Sequence, residues 1–101
     1  MTRRDALVRV IEALHSEIAA LKANDARGLE RATADKLSGI DAVAAAGHGP
    51  AGTELRELAE EAHRLNETCR IYVNLMAANT RRRLQGLTGD AFTGHRMSAF
   101  A

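Results

Sequence analysis

A chain of 101 residues with 14 Lys+Arg against 13 Asp+Glu has room for one small domain, and its formal charge of +1 leaves no electrostatic footprint for nucleic acid. Aromatic residues amount to 3%, too few for a base-stacking platform. No apolar run approaches the roughly 20 residues that a membrane-spanning helix requires.

Alanine, leucine, arginine and glutamate dominate and proline occurs once, so strong helix formers fill the chain. This composition predicts an all-α fold. The single cysteine cannot form an internal disulfide, and no charged-then-apolar start resembles a secretory signal. A cytoplasmic location is the expectation.

Thr2, with Asp5 three positions on, has the pattern of a helix start, and Leu7, Ile11, Leu14, Ile18 and Leu21 follow at steps of four and three. Asn24, Asp25 and Gly28 interrupt this stripe before Leu29, Ala32, Leu37, Ile40 and Val43 resume it. One glycine costs a helix only about 1 kcal/mol, which favours one continuous helix over about 3–46.

The segment 47–52, Gly-His-Gly-Pro-Ala-Gly, ends that helix and reverses the chain. Thr53 can cap a second helix over about 53–87, with Glu54 and Glu57 near its positive end. Its stripe of Leu55, Leu58, Ala62, Leu65, Cys69, Tyr72 and Met76 alternates steps of three and four, the spacing of a coiled-coil seam. Residues 1–87 thus read as one long antiparallel helical hairpin, coiled-coil-like, followed by a tail at 88–101. A hairpin of two helices covers only one seam, so a third short helix, a twin subunit, a partner or a docked tail is implied. Phe92, Met97 and Phe100 are the tail residues suited to docking.

From Cys69 onward the second helix is apolar on most sides. Ile71, Leu75 and Ala78 fall roughly 120° around from the seam, and Val73 widens it on the other side. Such an extra stripe suits self-association into a homo-oligomer, or a groove for an amphipathic helix of another protein.

No catalytic constellation is present. His63 and Cys69 stand six positions apart, off one face of a straight helix, and Cys69 in the seam reads as a small buried hydrophobe. His15, His48, His63 and His95 lack metal-ligand spacing, so neither metal nor cofactor is assigned. Ala62-His63-Arg64-Leu65 resembles the start of the histidine phosphotransfer motif, but Asn66 and Glu67 stand where that motif has Lys and Gly. Glu67 would set a carboxylate beside a phosphorylated His63. Arg81, Arg82 and Arg83 suit the negative end of the second helix.

Leu65-Asn66, Ile71 to Val73, Asn79 and Leu84-Gln85-Gly86-Leu87, with Glu17, Ala20-Leu21, Asp25, Leu29 and Lys36-Leu37 upstream, make the chain similar to the flagellar export chaperone FlgN family over residues 7 to 89. Cys69-Arg70 stands where that family has an Asn-Gly step. The resemblance implies a non-enzymatic chaperone that holds the C-terminal helical regions of hook-associated proteins, the hook-filament junction subunits. It would deliver them to the flagellar type III secretion apparatus. The client surface is expected at Leu65, Asn66, Cys69, Ile71, Tyr72, Val73, Leu75, Met76 and Asn79, some of which must instead serve the internal seam. A self-associating helical scaffold and a degenerate phosphotransfer domain using His63 are the alternatives.

Overall fold

The computed structural model describes residues 1–92, with side chains through Leu87. Three helices follow one another: α1 over Arg3–Ala23, α2 over Ala26–Ala45 and α3 over Thr53–Phe92. Among the described residues there is no strand, and the all-α class is as expected.

The continuous first helix is corrected by a break at Asn24 and Asp25. Asn24 adopts the left-handed conformation, φ 55° and ψ 43°, and its N–H turns back to the carbonyls of Ala20 and Leu21. Asparagine tolerates this conformation better than most residues, because its short side chain bonds locally. Asp25 then caps α2, its carboxylate accepting from the Gly28 N–H at 3.0 Å. A helix terminator and a helix initiator therefore stand side by side. Together they outweigh the modest glycine cost on which a continuous helix was expected.

The reversal makes α1 and α2 a tight antiparallel hairpin. Gly39 of α2 lies against α1 so closely that a Cβ there would come within 2.8 Å of Val10 Cγ2 and 3.3 Å of the Val10 nitrogen. Val10, Leu14 and Leu21 of α1 form the buried core with Cys69 of α3, and Ile18, Leu29, Val43, Ala62, Leu65, Tyr72 and Met76 pack around it. Helix α1 is thus the central element, flanked by α2 on one side and α3 on the other.

The 46–52 connection is tied back to α1. Arg3 donates from Nη1 to the Gly49 carbonyl at 3.1 Å and from Nη2 to the Pro50 carbonyl at 3.3 Å. Arg4 pairs with Glu54 at 2.9 Å in the first turn of α3. These contacts start α3 beside the start of α1, so the two run parallel. Lys22, in the last turn of α1, lies 5.9 Å from the centre of the Tyr72 ring. The 40 residues of α3 extend well beyond that level, whereas α1 has 21. Beyond Met76 the helix therefore projects past the hairpin, with Leu84 and Leu87 exposed.

Helix α3 also continues to Phe92, past the expected end at about residue 87. The docking of Met97 or Phe100 concerns residues outside those described, and the Phe92 side chain lies outside them as well.

Candidate helix-binding groove

The helices α2 and α3 scarcely touch. Gly39 lets α2 settle onto α1. A trough of about 850 Å³ remains between α2 and α3. Leu7, Val10 and Leu14 of α1 form its floor, Leu37, Ile40 and Val43 of α2 one wall, and Ala59, Ala62 and Asn66 of α3 the other. Leu37 is 55% exposed and Ile40 46%, values that set these residues apart from the packed Leu29 and Val43 of the same helix. The sequence stripe places all of them on one apolar face, and periodicity identifies such a face without revealing whether a neighbour reaches it.

The rim is basic. Arg3, Lys36, His48 and His63 line the trough, and among the described residues no carboxylate does. Lys36 is held by two contacts: an ion pair to Glu17 Oε1 at 3.1 Å and a donated hydrogen bond to Asn66 Oδ1 at 3.5 Å. It is thereby the one side chain in these contacts that ties α2 to both α1 and α3.

A second hollow continues the trough along Lys36 and Asn66 to Leu21, Leu29, Cys69 and Val73. Beneath it lies a polar knot that sequence reading missed. Glu17 is buried, and its Oε2 accepts from Thr33 Oγ1 at 2.7 Å. The Cys69 thiol approaches Glu17 Oε1 at 3.7 Å and the Leu14 carbonyl at 3.9 Å. Burial, then the Glu17 charge and its hydrogen bond, push the Cys69 thiol up to about 11, with Lys36 opposing. A thiol so placed remains protonated and is a poor nucleophile. The available signal was spacing: Glu17 falls between Leu14 and Leu21 at steps of three and four, a core register occupied by a carboxylate.

The nine expected surface residues separate into three groups. Leu65, Cys69, Tyr72 and Met76 pack in the seam against α1. Asn66 and Val73 stand on the groove side of α3. Ile71, Leu75 and Asn79 are exposed away from the seam, Ile71 at 52% and Leu75 at 56%. His63 lies on the groove wall, one turn from Glu67, whose carboxyl is held below its ordinary range by the hydrogen bond and charge of Arg70 at 2.9 Å.

Among the described residues no group of three His, Cys, Asp or Glu side chains could hold a metal ion, and no helix is long and apolar enough to cross a membrane. No family model, curated protein or solved structure matches the chain.

Proposed function

We propose that this protein is a helix-binding chaperone of the flagellar export type, acting in the cytoplasm. It receives the C-terminal helical region of a hook-associated subunit between α2 and α3. The observation that carries the reading is the trough itself: an elongated apolar hollow, floored by α1, where a three-helix array lacks its fourth member. An amphipathic client helix with i, i+3 and i+4 anchors would complete that array. The basic rim favours a client whose apolar face is bordered by Asp or Glu.

The test is a binding titration with a peptide spanning the C-terminal helical region of a hook-associated subunit. Leu37→Asp and Ile40→Asp should each abolish binding, with helicity retained by circular dichroism. Loss on Leu75→Asp together with retained binding in the two α2 variants would move the client to the outer face of α3. Retained binding in all three variants would sink the reading.

A further inference from the structure

The outer face of α3 carries a pattern that the groove does not use. With 100° between successive residues, Glu57, Arg64, Ile71 and Ala78 share a face with Glu61, Thr68, Leu75 and Arg82. Both sets repeat every seven residues, which is the periodicity of a helix–helix seam. This face points away from the Leu65, Cys69 and Met76 seam that packs on α1. Its centre is apolar and open at Ile71 and Leu75, its N-terminal end is acidic, and its C-terminal end is basic.

We infer that α3 is self-complementary and that two copies of this chain associate through it in antiparallel orientation. A twofold axis between Cys69 and Arg70 sets Glu57 opposite Arg82 of the second copy. The same axis sets Thr68 opposite Ile71, and the aliphatic stem of Arg64 over Leu75. Symmetry makes each contact twice. A parallel pairing would instead set Glu57, Glu61, Arg64 and Arg82 each against itself, four layers of like charge. The Thr68 hydroxyl already donates to the Arg64 carbonyl of its own helix at 3.1 Å, so its methyl face can be covered without stranding a donor. Glu57 and Arg82 are both exposed, and neither has an ion-pair partner among the described residues. The inference is independent of the groove and of its client.

Sedimentation equilibrium of the full chain over a wide concentration range tests it. A reversible monomer–dimer equilibrium is expected. Glu57→Arg alone and Arg82→Glu alone should each weaken it about tenfold by turning two attractions into two repulsions. The double variant should restore it, and Leu75→Asp should abolish it with helicity unchanged. A monomer at every concentration would overturn the inference. So would a dimer indifferent to either charge reversal, or one that the double variant fails to rescue.

Discussion

Lys36 Nζ lies 3.1 Å from Glu17 Oε1, and the two side chains are only 19% and 5% exposed. Two charges this far from water are stabilising only while paired, since an abandoned buried carboxylate carries its full desolvation penalty. Lys36→Met should therefore lower unfolding free energy by about 2 kcal/mol, a value reduced from the fully buried case because Lys36 keeps some solvent. The double variant Glu17→Leu, Lys36→Met should recover most of that loss. Urea denaturation of the four proteins in the cycle gives the comparison.

The approach of Gly39 to Val10 sets two opposed effects against each other. Alanine is better than glycine in a helix by about 1 kcal/mol. Its methyl would meet Val10 Cγ2 at 2.8 Å, and valine is too stiff to withdraw freely. Overpacking of this kind costs about 1–3 kcal/mol, so Gly39→Ala should be net destabilising by about 1 kcal/mol. A thermal unfolding midpoint that rises on this substitution would show that α1 and α2 can separate without loss.

At Asn24 the left-handed backbone sets a different expectation. Asn24→Ala should destabilise by about 1 kcal/mol, because alanine has no side-chain amide to bond locally and keeps the Cβ clash. Asn24→Gly should be neutral or stabilising. Equal effects from both would mean that the break depends on Asp25 alone.

The Cys69 thiol gives the fold a pH signature. A group whose folded pKa is raised contributes stability that is complete below its ordinary value of 9.0 and is lost as pH rises toward about 11. The native chain should lose urea resistance across that window more steeply than Cys69→Ala. At lower pH the native thiol should react slowly with an alkylating reagent and rapidly once the chain is unfolded. Fast alkylation of the folded protein would contradict the burial that raises the value.

Much of this architecture is legible in the sequence. The Leu7 to Leu21 stripe, the glycine-rich reversal at 47–52 and the Leu55 to Met76 seam are local periodic signals, and each names an element. Asn24 and Asp25 were equally visible, but their meaning lies in combination, as terminator and cap in adjacent positions. The groove was not legible. Whether Leu37 and Ile40 meet a neighbour depends on how closely α2 lies to α1, and that depends on a contact between Gly39 and Val10, distant in the chain. Glu17 stood in a core register, but its partners Thr33, Lys36 and Cys69 come from two other helices.

The overhang of α3 beyond Met76 gives one helix two thermal lives. Its first half shares the cooperativity of the core, whereas the residues after Met76 lie outside the core cluster formed by the described residues. Amide protection should therefore fall in a step after Met76, not in a smooth gradient toward the end. Any molecule that grips the overhang would abolish that step. The exchange profile of α3 is thus an internal gauge of occupancy, readable without knowing what has bound.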